Sequence, residues 1–130
     1  MARYLVSDTS MFHHLYFIPV VREVADSNLH SRMMPEDSVY GEWPKSGEID
    51  IVESRGNDAE TYSLGNNIVT STLHWGTTYL NDAYLKSTSD WGAQRTKYSE
   101  GYHTYGLEWT EDYLFTWLDG RLRVCLPLIS

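Results

Sequence analysis

A chain of 130 residues has room for one hydrophobic core, and a domain of that size buries roughly two-thirds of its unfolded surface. Acidic side chains outnumber basic ones 18 to 10 for a formal charge of -8, which excludes a surface built to neutralise a nucleic-acid backbone or an anionic membrane. The single cysteine, Cys125, excludes an internal disulfide and a cysteine-built zinc site, while 5 Trp, 10 Tyr and 3 Phe supply flat apolar surfaces that favour strands and on which sugar rings stack.

Residues 1–32 carry no sustained period, helical or extended, and form an atypical leading segment. Within "MARYLVSDTSMFHHLYFIPVVREVADS" the apolar run from Met11 to Val21 is broken by His13 and His14 and lacks a small-residue cleavage site, so it reads as a poor secretory signal. It is also too short for a membrane span. From Met33 onward the chain reads as strands between turns, and residues 33–130 form the second unit. "MMPEDSVYGEWPKSG", punctuated by Pro35, Gly41, Pro44 and Gly47, predicts a loop that leads into the strand "EIDIVES". In "NNIVTSTLHW" the alternation puts Ile68, Thr70, Thr72 and His74 on one face and Val69, Ser71, Leu73 and Trp75 on the other. Residues 76–101 show no clean period, and a connection of that length in a compact domain is usually functional. "YHTYGLEW" predicts another strand, and Asp119-Gly120 between "YLFTWL" and "RLRVCL" is a strong hairpin signal. Strands joined by tight turns, with no long helix, predict an all-β antiparallel sandwich or jelly roll.

The segment "GEIDIVES" places Glu48, Asp50 and Glu53 in a strand, where like charges on one face repel. Glu48 and Asp50 share a face by alternation, and Glu53 has the wrong parity. A one-residue bulge around Ile51 and Val52 would bring all three acids to one face, and bulges recur beside active sites because they re-aim a side chain. Glycoside hydrolysis with retention needs two carboxyl groups about 5–5.5 Å apart, one attacking the anomeric carbon and one protonating the leaving oxygen. Four effective strand positions separate the α-carbons of Glu48 and Glu53 by about 13 Å, so the pair fits only where both side chains lean inward on a concave sheet. Asp50 between them would couple to both charges. An acidic strand facing solvent is the alternative. The segment "DIVESRGNDAE" lacks the oxygen-ligand spacing of a calcium loop.

"EWPKSGEIDIVES" resembles the active-site segment of glycoside hydrolase family 16, in the laminarinase-like branch with the E-x-D-x-x-E form of the motif. "SRGN", "TLHWG" and "YHTYGLEWTEDYLFTWLDGR" follow in the order expected of that branch, and the resemblance covers about Met33 to Val124. It implies a β jelly roll of concanavalin A type whose concave sheet holds a glycan. It further implies hydrolysis of internal β-1,3 or mixed β-1,3/1,4 glucosidic bonds with retention, no cofactor and no metal. Glu48 then corresponds to the nucleophile, Asp50 to the carboxylate between, and Glu53 to the acid/base. Trp43 corresponds to a tryptophan beside the reacting sugar, and His74 and Trp75 to cleft residues near the acid/base. His103, Tyr105, Glu108 and Trp109 look mostly structural. The expected partner is a β-glucan, with no nucleic acid and no membrane, and the expected location is extracellular or the cell wall. A non-catalytic glucan-binding module is the second expectation, with Trp43, Trp75, Trp91 and Tyr79 holding a glucan by stacking. Two departures stand out. "DSNLHSR" occupies the place of a Trp-rich strand resembling "WPAIW", and the family continues with further strands beyond "LDGRLRVCLPLIS", so an incomplete sandwich is expected.

Overall fold

A computed structural model describes residues 15–17, 20–21, 28–93 and 96–127. Its strands are β1 (Leu15–Phe17), β2 (Val20–Val21), β3 (Leu29–Met33), β4 (Glu48–Ser54), β5 (Ile68–His74), β6 (Thr88–Gly92), β7 (His103–Trp109), β8 (Tyr113–Leu118) and β9 (Arg121–Pro127). Single 3-10 turns over Tyr79–Asn81, Tyr84–Lys86 and Tyr98–Glu100 are the helical elements among the described residues. One sheet runs β3-β4-β5-β6 and the other β1-β7-β8-β9, with β2 also on β7; every pair is antiparallel. The core lies between them, with Ile51, Val52, Val69 and Leu73 from the first sheet against Tyr105, Leu107, Leu114, Leu118 and Val124 from the second. This is the antiparallel jelly-roll sandwich that the alternating patterns predict.

The local reasons for the strands are those of the pattern. In β5 Val69, Ser71 and Leu73 are buried toward the core, as alternation requires, while on the other face Ile68, Thr70 and His74 are half-buried and Thr72, opposite Asp50, is buried. Asp119 and Gly120 take positive φ values of 48° and 74°, the backbone of a tight turn whose twist suits the β8–β9 hairpin. β6 lies inside the segment without a clean period. It is an edge strand whose burial alternates only weakly, so Ser89 and Trp91 face inward without an apolar run to announce them. Most of residues 1–32 lies outside the described residues. The described part is extended, with β3 forming the opposite edge of the first sheet.

The two sheets are also joined by a polar thread through the core. Val124 N–H donates to Thr116 Oγ1 at 3.3 Å, Thr116 and Ser71 hydroxyls lie 2.7 Å apart, and Ser71 Oγ donates to the carbonyl of Asp50 at 3.0 Å. With Thr116 donating to Ser71, each hydroxyl gives one proton and accepts one, so nothing in the thread is left unpaired. Both side chains are buried, so a broken link would strand a polar group in the core. Thr116→Val is therefore expected to lower stability by about 1–3 kcal/mol in denaturant unfolding. The double variant with Ser71→Ala should lose less than the sum of the two single losses, because both remove the same bond. Strict additivity would show that the thread carries no coupling.

Candidate active site

The expected bulge is present. Across β5, Glu48 pairs with His74, Asp50 with Thr72 and Glu53 with Thr70, so Ile51 and Val52 together face Ser71. The register against β3 shifts at the same place, from Val52 opposite Ser31 to Asp50 opposite Arg32. Ile51 is the extra residue, and both Ile51 and Val52 are buried in the core. As a result Glu48, Asp50 and Glu53 stand on one face with His74, Thr72 and Thr70, the face turned away from the second sheet.

Each acid has a different environment. The side chain of Glu48 is 8% exposed; its Oε1 accepts from Arg32 Nη1 at 3.2 Å and its Oε2 from Trp43 Nε1 at 2.8 Å. With an N–H on each oxygen, the group acts purely as an acceptor, as a carboxylate does. Asp50 is 3% exposed, and its Oδ2 lies 3.3 Å from His74 Nε2. Burial, then the charges of Glu53 and Glu48, push the Asp50 pKa from 3.8 up to about 7, against the opposing pull of His74 and Arg32. Glu53 is 35% exposed and lies 3.2 Å from His30 Nδ1. A depression of about 110 Å³ opens beside it, lined by His30, Arg55, Leu64 and Thr70 among others.

His74 connects this strand to the segment that follows β5. Its Nδ1 lies 2.6 Å from Asp82 Oδ2. Partial burial disfavours the imidazolium, yet the hydrogen bond to Asp82 and the charges of Asp82, Asp50 and Glu48 outweigh it and raise the His74 pKa above 6.5. The ring stacks on Tyr84 at 5.5 Å, and Trp43 lies 5.3 Å from His74 and 5.8 Å from Tyr79, which builds an aromatic wall at the Glu48 end.

Thus the structure brings Glu48, Asp50, Glu53, Trp43 and His74 together, and Tyr79 with them. Trp75, one residue past the end of β5, is 41% exposed, and its Nε1 donates to Ser87 Oγ at 2.9 Å. The structure does not bring Trp91 to this face. Trp91 pairs with Val69 of the core side and packs between the sheets, with the Arg123 guanidinium 3.7 Å from its ring centroid. His30, Arg32 and Asp82 are the site residues that sequence reasoning missed. The alternation of His30 and Arg32 with Leu29, Ser31 and Met33 in "LHSRM" was the available signal for the first two. Donor atoms of Glu48, Asp50 and His74 lie within 4.8 Å of one another, a set that could hold a divalent ion. Here those atoms are occupied by Arg32, Trp43, Asp82 and one another, so a metal would have to displace the network.

The family model for glycosyl hydrolases family 16 matches residues 31–125. The chain belongs to glycosyl hydrolase family 16. It is 38% identical over 92 residues to a beta-1,3-glucan-binding protein of Penaeus monodon, covering 71% of this chain and 25% of that protein. Over 94 residues it is 36% identical to a glucan endo-1,3-beta-glucosidase of Cryptopygus antarcticus, covering 69% of this chain and 30% of that enzyme. The chain therefore spans less than a third of the length of these curated relatives. Among solved structures, the endo-beta-1,3-glucanase of Pyrococcus furiosus superposes with a TM-score of 0.65 at 18% identity, covering 88% of this chain and 43% of that one. That likeness is one of fold, and it agrees with the jelly roll described above.

In this family-16 sheet the burial of Asp50 links stability to pH. A carboxyl whose folded pKa lies above its unfolded value contributes stability that is complete below pH 4 and is lost as pH rises through about 7. Asp50→Asn removes the ionisation. Its stability relative to the parent should therefore rise between pH 4 and pH 7 and level off above, read from thermal unfolding across that range. A difference independent of pH would show that Asp50 ionises as freely in the folded chain as in the unfolded one.

Proposed function

We propose that this chain carries the catalytic centre of an endo-acting retaining β-glucanase that cleaves β-1,3 or mixed β-1,3/1,4 glucosidic bonds. The observation that carries the reading is the bulge in β4, which sets Glu48, Asp50 and Glu53 on one face of the sheet, the face turned away from the core. Glu48, held at both oxygens by Arg32 and Trp43, attacks the anomeric carbon and forms a glycosyl ester. Glu53, the most exposed of the three, gives its proton to the leaving oxygen and then takes one from the incoming water. Before attack the negative charge next to Asp50 is on Glu48; after it, Glu48 is an ester and the charge is on Glu53. Asp50 thus sits beside one anion in both states, and its contact with His74 gives it a steady counter-group.

Trp43 and Tyr79 form the wall on which a sugar ring would stack. Trp75 is exposed beside Ser87 and Lys86, and Trp91 has no part in the reading. The substrate class is supported by the β-1,3-glucan named for the two curated relatives and by a Bacteroides ovatus structure described with mixed linkage glucan. Residues 33–130 are assigned to the catalytic domain, with β3 straddling the boundary to the leading segment, in keeping with a family match that starts at residue 31. The proposed polysaccharide substrate is in keeping with a location outside the cell or in the wall. No helix among the described residues is long and apolar enough to cross a membrane.

The likeness to a glucan-binding protein favours a second reading, in which the aromatic wall binds glucan without cleavage. Hydrolysis separates the two. The chain should release reducing ends from laminarin, and Glu48→Gln should lower the rate at least about 10³-fold while retardation in a β-glucan gel persists. Retardation without release by the parent chain would favour binding alone, and Glu48→Gln at parental activity would remove Glu48 from the chemistry.

A further inference from the structure

Asp82 lies in the connection between β5 and β6, and that connection folds around its carboxylate. Oδ1 accepts the amides of Trp75 and Tyr84, each at 3.2 Å, and Oδ2 lies 2.6 Å from Nδ1 of His74. The limbs are drawn close by a bridge between Gly76 and Asp82. A side chain at position 76 would run into the carbonyl of Asn81, so glycine is required for Asp82 to reach back to His74. The Asp82 side chain is 7% exposed, so water competes little for these bonds.

A carboxylate has only acceptors to offer, so the ring atom facing Asp82 must be an N–H. The opposite tautomer would set the bare lone pair of Nδ1 against the Asp82 anion. With Nδ1–H fixed, Nε2 is the atom left to face Asp50 at 3.3 Å. That approach is an electrostatic contact at ion-pair distance, in which the charges of His74 and Asp50 act on each other. With Nδ1–H fixed, it is Nε2, on the Asp50 side, that gains or loses the proton as the ring titrates, which the opposite tautomer does not allow. The remaining groups around this pair are Glu48 and Glu53 from β4, Arg32 from β3, and the rings of Trp43 and Tyr84.

We infer that Asp82 is a positioning residue for the catalytic centre, fixing His74 as the Nδ1–H tautomer so that its titrating nitrogen, Nε2, faces Asp50 while the charge next to them passes from Glu48 to Glu53. The inference rests on the reading of Glu48 and Glu53 as catalytic, and it assigns a task to a carboxylate that touches neither the sugar nor the attacking atom.

The test is two-bond proton–nitrogen NMR of the full chain labelled at histidine, with the His74 signals assigned by their loss in His74→Gln. The parent should show protonated Nδ1 in both the neutral and the charged ring, from pH 5 to pH 9. Asp82→Asn offers an amide donor to Nδ1 and should populate the Nε2–H form at neutral pH. In a serine-protease triad the same exchange costs about 10⁴-fold in kcat through the wrong tautomer. Here, where the imidazole is one step further from the reacting atoms, laminarin hydrolysis should lose at least about tenfold in kcat with KM within about twofold, and Asp82→Glu should recover part of the loss. A parent ring protonated at Nε2 when neutral would overturn the inference without recourse to any variant. So would an unchanged tautomer in Asp82→Asn, or a changed tautomer with kcat intact. If the parent chain hydrolyses nothing, the catalytic reading is what fails, and the tautomer of His74 in the parent and in Asp82→Asn then decides the positioning role alone.

Discussion

The two-against-one pairing of Ile51 and Val52 with Ser71 is the constraint from which the rest of the site follows. A regular strand would send Glu53 into the core, opposite the parity of Glu48 and Asp50, and a carboxylate there would meet the apolar side chains of the second sheet. The bulge exchanges that outcome for two consecutive core residues, Ile51 and Val52, and leaves the local ladder short of a partner. Ser71 supplies it: its hydroxyl takes the Asp50 carbonyl and reaches Thr116 across the sandwich. Thr116 itself sits where the β8–β9 register shifts, and there it receives the Val124 amide. Irregularities in the two sheets are therefore satisfied by one thread of hydrogen bonds, which makes the position of the acids a property of the whole sandwich and not of β4 alone.

Gathering three carboxylates creates a second constraint, and the neighbouring elements answer it from both sides. β3 sends Arg32 to Glu48 and His30 to Glu53. The connection after β5 sends Asp82 to His74, and His74 to Asp50. Asp82 adds a negative charge, so it makes sense only through the imidazole it orients, whose charged form it and the acid face favour. Edge strand and connection, the two segments with the weakest pattern in the sequence, are thus the ones that balance the charge on the strongest.

The legible parts of the fold were those that face the core. β5, β7 and the β8–β9 hairpin bury alternate apolar residues, and the Asp119-Gly120 turn has its own chemistry, so their boundaries could be read directly. The bulge could be read for a less usual reason: three acids at 48, 50 and 53 have inconsistent parity, and a single irregularity resolves it. β6 was hidden because an edge strand needs little apolar surface. Without β6 the facing of Trp91 could not be assigned, and the residue expected to stack on sugar proves to line the space between sheets beneath Arg123. His30, Arg32 and Asp82 were hidden by distance. Their partners are set by cross-strand register and by a closed loop, neither of which is written in local spacing.

The energetics of Asp50 bear on which of the two functions the site serves. A pKa moved from 3.8 to about 7 means that the folded chain disfavours the ionised form by on the order of 4 kcal/mol, a large fraction of the stability of a small domain. An aromatic wall such as Trp43 with Tyr79 can stack a sugar without any of this, since stacking needs a flat apolar surface and a few donors at the rim. A buried carboxyl between two others, beside an oriented imidazole, is not needed for stacking. It would serve the proposed cycle, in which a negative charge leaves Glu48 and appears at Glu53, because a group that can hold or release a proton near neutrality would keep the electrostatic setting of both acids similar before and after the ester forms. On the proposed reading the burial of Asp50 is intelligible as part of a reaction, while the aromatic surface suits hydrolysis and binding alike.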